Sequence, residues 1–324
     1  MKKQMLALVL AIAAATGIGG SNTRADAAEE TSVVIGGGTK GGVYHQVALG
    51  ICTLVNEKLG NQGYTCKDQP SQGSATNINA MRRGWLDFAV VQSDHNWQAY
   101  HGEKDWKGKP YEGLRSVFSV HPETVMLVTR ADTGIQSVSD LRGKRVNIGN
   151  RGSGHRENAQ DVLRIYGIDW RDDISARDLE PQEAAQALRR GKIDAFFYTV
   201  GNPWDGGLAL AENVEVRMIP IDAPGIKELV ADRPYYVLTA IPGGFYKGMG
   251  KDVPTYAVKA VLVTSDKASD EVVYNVVKTV FENLDSFRTM HPAFRSIQPQ
   301  EMLKGLSAPL HQGALRYYKE KGWM

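Results

Sequence analysis

Cysteine, net charge and long apolar runs are all scarce in this chain of 324 residues. Two cysteines are too few for a disulfide-dense small scaffold. A formal charge of +2 is too small for a protein that neutralises many phosphates, which excludes a nucleic-acid partner. After the first twenty residues no apolar run is long enough to span a bilayer. The 42% hydrophobic and 23% charged residues indicate a globular chain with room for two domains.

The N-terminus has the pattern of a secretory signal. Basic residues 2–3 precede an apolar stretch over residues 6–15, and Ala25 and Ala27 give the small-residue spacing of a signal peptidase site. The alternative is an N-terminal anchor helix, for which the apolar stretch is short. We therefore predict a signal peptide at residues 1–27, cleavage before Ala28, and export to the periplasm.

The two cysteines, Cys52 and Cys66, lie on a predicted helix and the strand after it. In an oxidising compartment two cysteines without a third favour one disulfide, with two free thiols as the alternative. A metal site is disfavoured, because no His or Cys lies at ligand spacing near either cysteine.

Two similar α/β halves follow one another along the chain. Residues 31–35 form a predicted strand that leads through three glycines to a helix over residues 43–59. Residues 145–148 repeat this pattern, with a glycine-containing turn at 150–154 and a helix over residues 156–166. The apolar strands between helices favour parallel sheets covered on both faces. We predict two lobes that face each other across a cleft.

The rest of the sequence predicts further strands and one amphipathic helix. Two β-rich runs occupy residues 117–129 with Pro122 between them, and residues 258–264 form a late strand. Residues 271–290 place apolar side chains at helical spacing, which predicts one amphipathic helix.

The first glycine-rich turn matches a dinucleotide-binding pattern. Residues 36–41 read G-x-G-x-x-G between a strand and a helix, and Asp68 stands at about the position of a ribose-binding acid. An exported protein meets little nicotinamide cofactor, so we favour the general property of such turns, which is anion binding by free N–H groups at a helix start. A plain helix cap is the other alternative. No cofactor is predicted.

Enzyme motifs are absent from the sequence. It has no H-E-x-x-H metal motif, no G-x-S-x-G elbow, no C-x-x-C and no P-loop. No nucleophile and base can be paired from sequence alone, so we predict a protein that is not an enzyme.

Several short motifs in a fixed order resemble one family. They are Gly-Gly-Val-Tyr at 41–44, Gly-Ser at 73–74, Gln-Ser-Asp at 92–94, Leu-Arg-Gly-Lys-Arg-Val at 141–146, Gly-Ser-Gly at 152–154, Ile-Asp-Ala-Phe-Phe at 193–197 and Pro-Leu-His-x-Gly-Ala at 309–314. The order resembles the TAXI family, the solute receptors of one class of tripartite ATP-independent periplasmic (TRAP) transporters. The resemblance covers residues 31–323 and is close to the immunogenic 31 kDa-type proteobacterial members.

This resemblance implies a type II periplasmic-binding-protein fold with a ligand cleft between two α/β lobes. The first lobe would comprise residues 28–123 plus 254–324, and the second residues 124–253. Family members are associated with glutamate, glutamine and related C5 dicarboxylates such as 2-oxoglutarate. The expected partners are a small carboxylate ligand and the TRAP membrane permease subunits, and the expected state is a monomer. A sensory receptor that signals to a membrane kinase and an exported enzyme on the same fold are the alternatives.

The family motifs also imply a set of ligand-binding residues. Carried onto this chain, they are Thr39, Gly42, Val43, Tyr44, Ser74, Gln92, Ser153, Gly154, Tyr198 and Gly201. We add Glu123, which could bind an α-ammonium group, and His155, which could donate a hydrogen bond to the ligand. Arg151 and His155 depart from the family pattern and are expected to bring positive potential to the cleft mouth, which favours a dicarboxylate over glutamine.

Overall fold

Residues 30–324 are the part of the chain that this computed structural model describes, and the predicted signal peptide lies outside it. Within that part there are ten strands. They are Thr31–Gly36 (β1), Tyr64–Gln69 (β2), Phe88–Gln92 (β3), Leu114–Arg130 (β4), Arg145–Asn147 (β5), Ser175–Arg177 (β6), Ala195–Val200 (β7), Val216–Met218 (β8), Val237–Ile241 (β9) and Val253–Ser265 (β10).

The same residues form ten α-helices and six short 3-10 helices. The α-helices are Val43–Leu59 (α1), Ser74–Arg82 (α2), Ser93–His101 (α3), Gly154–Ile165 (α4), Pro181–Arg189 (α5), Asp205–Asn213 (α6), Pro224–Ala231 (α7), Asp270–Glu282 (α8), Leu284–Thr289 (α9) and Gln312–Glu320 (α10). The 3-10 helices are Gly60–Gln62, Lys104–Trp106, Ala131–Thr133, Val138–Leu141, Pro292–Phe294 and Glu301–Leu303. None of the helices in residues 30–324 has both the length and the apolar character needed to cross a membrane.

The strands form one sheet in the order β2-β1-β3-β10-β4-β7-β5-β6, with β8 beside β4 and β9 beside β10. Strands β1, β2 and β3 are parallel, as are β5, β6 and β7, whereas β4 and β10 run antiparallel to their neighbours. Because each parallel set carries its own helices, the sheet divides into two α/β lobes. We call the part around β1–β3 the first lobe and the part around β5–β7 the second lobe.

Two long strands, β4 and β10, run through both lobes. Along β4 the pairing with β10 continues to Thr124, where pairing with β7 begins. The partners of β10 change from β9 to β3 between Ala257 and Ala260. The two predicted α/β lobes joined by crossing strands are present, while the boundaries predicted at residues 123/124 and 253/254 stay predictions.

Pro122 does not interrupt β4, although the sequence suggested two separate runs. Its strand partner in β10 is Lys259, and a register shift follows between Lys259 and Val261. Pairing with β7 begins only at Thr124. Proline is tolerated here because the strand changes partners at this place and the ladder is already irregular.

The apolar core has a part in each lobe and a part common to both. Ile78, Met81 and Trp106 belong to a cluster in the first lobe. Ala159 and Val162 of α4 belong to a cluster on the second lobe's sheet. The largest cluster extends from α1 and β1 of the first lobe to α5 and β7 of the second. Burial of this shared apolar surface holds the lobes together at the base of the cleft.

Helix α1 begins and ends where the sequence predicted, and its disulfide is confirmed. Cys52 on α1 is bonded to Cys66 on β2. The side chain of Asn56 accepts a hydrogen bond from the Cys66 N–H at 2.7 Å and donates one to the Cys66 carbonyl at 3.0 Å. The helix carrying the first glycine-rich turn is thus fixed to the neighbouring strand.

The predicted helix over residues 271–290 is divided into α8 and α9. The break falls at Asn283, with φ −119° and ψ 29°, and its side chain donates to the Thr279 carbonyl at 2.8 Å. The short amide side chain competes with backbone N–H groups for a carbonyl group of the helix. The apolar spacing therefore continues past this residue, whereas the helical backbone is interrupted there.

Candidate functional site

A cavity of about 40 Å³ lies between the two lobes, where three helices begin. Helix α1 starts there after Gly42, α2 after Gly73 and α4 after Ser153. Helices α1 and α2 come from the first lobe and α4 comes from the second. The cavity therefore lies where the positive ends of helices from both lobes converge.

No side chain of the described residues caps the N–H groups at the starts of α1 and α4. The hydroxyl of Ser153, which stands at the cap position of α4, donates instead to the Asn150 carbonyl at 2.6 Å. The first-turn N–H groups of a helix have no partner inside the helix. Uncapped N–H groups from opposite lobes suit a carboxylate or another small anion.

The third helix start, α2, is occupied by a group from the second lobe. The carbonyl of Gly152 accepts hydrogen bonds from the N–H groups of Ala75 at 3.1 Å and Thr76 at 3.2 Å. Nearby, the Asn150 amide donates to the Gln72 carbonyl at 2.9 Å. These bonds cross the cleft, so the structure is a closed form of the two lobes.

A buried tyrosine–carboxyl pair lines the cavity. The hydroxyl of Tyr44 donates to Oε2 of Glu123 at 2.6 Å, and Glu123 is only 2% exposed. Burial raises the pKa of the Glu123 carboxyl well above its ordinary value, although the hydrogen bond from Tyr44 opposes this rise. No Lys or Arg among residues 30–324 lines the cavity. Glu123 therefore faces the cavity as an acid without a cationic partner.

Five buried amide oxygens have no hydrogen-bond partner among residues 30–324, and two of them are Oε1 of Gln92 and Oδ1 of Asn150. Both residues line the cavity. A buried acceptor without a donor costs about 1–3 kcal/mol, so each suits a ligand N–H or O–H group. The cavity thus offers donors at the helix starts and acceptors on its side chains.

The prediction of positive potential is wrong for His155, and Arg151 does not line the cavity. Arg151 has an 84% exposed side chain that pairs with Asp178 at 3.1 Å, outside the cavity lining. His155 lines the cavity, but burial lowers its pKa to about 3, because the charged ring would lose its hydration. The imidazole is neutral near pH 7, and the argument for a dicarboxylate over glutamine loses its support from His155.

Most of the predicted ligand residues meet at the cavity. Eleven of the twelve line it: Thr39, Gly42, Val43, Tyr44, Ser74, Gln92, Glu123, Ser153, Gly154, His155 and Tyr198. Gly201 does not join them, because it lies against the ring of His121, with which a Cβ atom would overlap.

Seven further lining residues were not predicted: Gly38, Gln72, Gly73, Asn150, Pro181, Thr199 and Val200. Five of them lie within two positions of a predicted residue. A prediction that included the two residues on either side of each predicted residue would therefore have included them. Gln72 and Asn150 meet across 78 positions of the chain, a pairing that no local pattern signals.

The chain matches the NMT1-like family over residues 35–322 and belongs to that family. Among solved structures it is similar to MatC from Rhodopseudomonas palustris with bound malate, at 16% identity and a TM-score of 0.58, with 90% of this chain and 97% of MatC covered. It is also similar to a putative L-cystine ABC transporter protein from Listeria monocytogenes, at 13% identity and a TM-score of 0.50, with 85% and 99% covered. At such identities the likeness shows the fold, and the predicted periplasmic-binding-protein fold is confirmed.

Proposed function

We propose that this protein is an exported solute-binding receptor of the TAXI type, which captures a small carboxylate between its lobes and delivers it to a TRAP permease. The observation that carries the proposal is the cavity where uncapped starts of α1 and α4 converge from opposite lobes. A ligand that contacts both lobes stabilises the closed form by its differential contacts. The family motifs at 41–44 and 152–154 supply these two helix starts.

The charges around the cavity favour a ligand that brings its own cation. Within the described part of the chain Glu123 has no cationic partner, and the acceptors of Gln92 and Asn150 have no donors. The ammonium group of an amino acid satisfies such acceptors, while its carboxylate groups meet the helix N–H groups. Within the C5 class we therefore propose a glutamate-like ligand over 2-oxoglutarate.

The contact between Ser153 and His155 at the site supports capture without catalysis. Ser153 Oγ lies 3.3 Å from Nε2 of His155, but its hydroxyl donates to the Asn150 carbonyl. Burial lowers the pKa of His155 to about 3, which leaves a weak base. A serine whose proton is engaged elsewhere, beside a weak base, is poorly suited to nucleophilic attack.

The membrane partner has one specific alternative. The Listeria monocytogenes neighbour is described as part of an ABC transporter, so an ABC-type permease is the second candidate. A large TRAP permease gene beside the gene for this protein supports the first, ABC permease and ATPase genes support the second, and a membrane kinase gene supports a sensory receptor. Sequencing the N-terminus of protein from a periplasmic extract tests export, with Ala28 as the expected first residue.

Calorimetry with two ligands tests both the site and the ligand class. A thermal-shift panel of C4–C6 acids and amino acids first finds ligands, because binding raises the unfolding temperature by mass action. Glutamate and 2-oxoglutarate are then titrated in two buffers of different ionisation enthalpy. Burial raises the pKa of Glu123 in the free protein and a bound ammonium group lowers it, so glutamate binding is expected to release more protons than 2-oxoglutarate binding.

The control for this titration is Glu123→Gln, which has no proton to release. Loss of proton release in this variant supports the ammonium contact with Glu123. Proton release that persists, or stronger binding of 2-oxoglutarate than of glutamate, contradicts the proposed ligand class. A panel in which no carboxylate binds contradicts the proposed function as a whole.

A further inference from the structure

A cluster of charged and amide side chains joins the lobes outside the cavity. On the first lobe it contains Gln98 of α3 and Lys104 of the 3-10 helix that follows. On the second lobe it contains Glu157 and Asp161, one turn apart on α4. None of these four residues lines the cavity.

Lys104 reaches two carboxylates of the opposite lobe. Its ammonium lies 3.5 Å from Oε1 of Glu157 and 3.2 Å from Oδ1 of Asp161. The Gln98 amide donates to the same Glu157 oxygen at 2.7 Å. The side chain of Lys104 is 41% exposed, whereas those of Glu157 and Asp161 are 14% and 7% exposed. Two nearly buried acids are thus contacted from the other lobe, while Asp161 also accepts a hydrogen bond from Arg164 of its own helix at 2.9 Å.

The backbone at Lys104 is unusual in a way that serves this contact. Among residues 30–324 it is the one non-glycine residue with positive φ, at 47°. This conformation costs about 1–2 kcal/mol for a residue with a Cβ atom, so surrounding interactions must hold it. Desolvation lowers the pKa of Lys104, but Glu157 and Asp161 outweigh it and the pKa is raised. The ion pairs therefore favour the charged lysine.

Each partner is firmly attached to its own lobe. Trp106, two residues after Lys104, is buried in the first-lobe cluster and donates to Asn79 of α2 at 3.2 Å. Ala159, Val162 and Leu163 fix α4 in the second-lobe cluster. Separation of the lobes would therefore break the contacts of Lys104 and leave two carboxylates without them.

We propose that Lys104, Gln98, Glu157 and Asp161 form a clasp that stabilises the closed form and so sets ligand affinity from outside the ligand site. Lys104 is a positioning residue, because it acts on the distance between the lobes and touches no ligand. The clasp rests on the proposed closure of the lobes, but not on the identity of the ligand.

A cysteine reporter in the closed cleft tests the clasp without any ligand. Ser153 is 6% exposed, and the sequence's two cysteines form the disulfide, so Ser153→Cys adds a single free thiol. Its rate of alkylation by iodoacetamide reports how often the cleft opens. In this background Lys104→Met is expected to raise the rate about fivefold, the effect of roughly 1 kcal/mol on closure.

Matched variants separate the clasp from a general loss of charge or stability. Lys107→Met removes an exposed lysine without an ion pair among the described residues, and is expected to leave the rate unchanged. Lys104→Arg is expected to restore a slow rate. Asp161→Asn, on the other lobe, is expected to raise the rate as Lys104→Met does, and replaces it if that variant fails to fold.

Equal alkylation rates in the parent and both clasp variants overturn the clasp and leave ligand capture untouched. A parent rate as fast as that of the unfolded protein also overturns it, since the cleft would then stand open without ligand. Conversely, failure of every carboxylate to bind leaves the alkylation test valid.

Discussion

The Tyr44 hydroxyl donates a 2.6 Å hydrogen bond to Oε2 of Glu123, the buried acid that the cavity leaves without a cation. The bond links α1 to the strand that crosses between the lobes. It therefore connects the first-lobe helix that lines the cavity to the part of β4 where the pairing changes from β10 to β7.

Tyr44→Phe removes this bond and keeps the ring. We expect ligand affinity to fall tenfold or more, about 1.4 kcal/mol, because Glu123 is left without its donor and loses its fixed orientation. Isothermal titration calorimetry measures the change. The control is Tyr274→Phe, which breaks an exposed tyrosine–carboxylate bond of 2.7 Å to Glu320. Wild-type affinity in Tyr44→Phe would remove Tyr44 from the site.

Gly152→Ala tests the hydrogen bonds that close the cleft. Gly152 has φ +82°, and a Cβ atom there would overlap Oγ1 of Thr76 in the other lobe. Gly84 has a similar φ of +75° with nothing near its Cβ position, so Gly84→Ala carries the same backbone cost of about 1 kcal/mol without the clash. Ligand affinity is expected to fall about tenfold in Gly152→Ala relative to Gly84→Ala. Equal affinities in calorimetry would show that this contact does not accompany binding.

His95 gives the folded protein a stability that depends on pH. Burial acts to lower its pKa, but Asp94 at 3.0 Å and Glu157 at 3.7 Å raise it from 6.5 to about 9. A raised folded pKa adds stability that is complete below pH 6.5 and is lost as the pH rises through about 9. Urea unfolding across this range is expected to show a falling free energy of unfolding. The fall should be smaller in His95→Asn than in the wild type or in the exposed control His101→Asn, and equal slopes would contradict the assignment.

Reduction of the disulfide between Cys52 and Cys66 is expected to lower the free energy of unfolding. Closing a loop of 14 positions stabilises a protein by about 3 kcal/mol through the entropy of the unfolded chain. Dithiothreitol should therefore lower the melting temperature of the wild type. It should have no effect on the double variant Cys52→Ala/Cys66→Ala, which melts at the lower temperature throughout. A wild type insensitive to reductant, with the same melting temperature as the variant, would contradict this role.

Local signals predicted much of the fold and of the site. The helix at 43–59 was predicted with its observed bounds, because its apolar spacing follows a glycine turn without interruption. Helix α3 was not predicted, because its sequence SDHNWQAYH is polar and its buried Asp94 and His95 are satisfied by other parts of the chain. The neutrality of His155 was missed for the same reason, since its burial beside the ring of Tyr198 is a tertiary property.

The most direct test of ligand capture adds a methyl group to a residue that lines the cavity. Gly154 begins α4 without positive φ, and a Cβ atom there would overlap Oε1 of Gln92 in the first lobe. Gly60→Ala is the matched control, because nothing lies within 4 Å of its Cβ position. Calorimetry should find that Gly154→Ala binds the ligand about a hundredfold more weakly than the wild type, while Gly60→Ala binds normally. Unchanged affinity in Gly154→Ala would place the ligand elsewhere and contradict capture between the two helix starts.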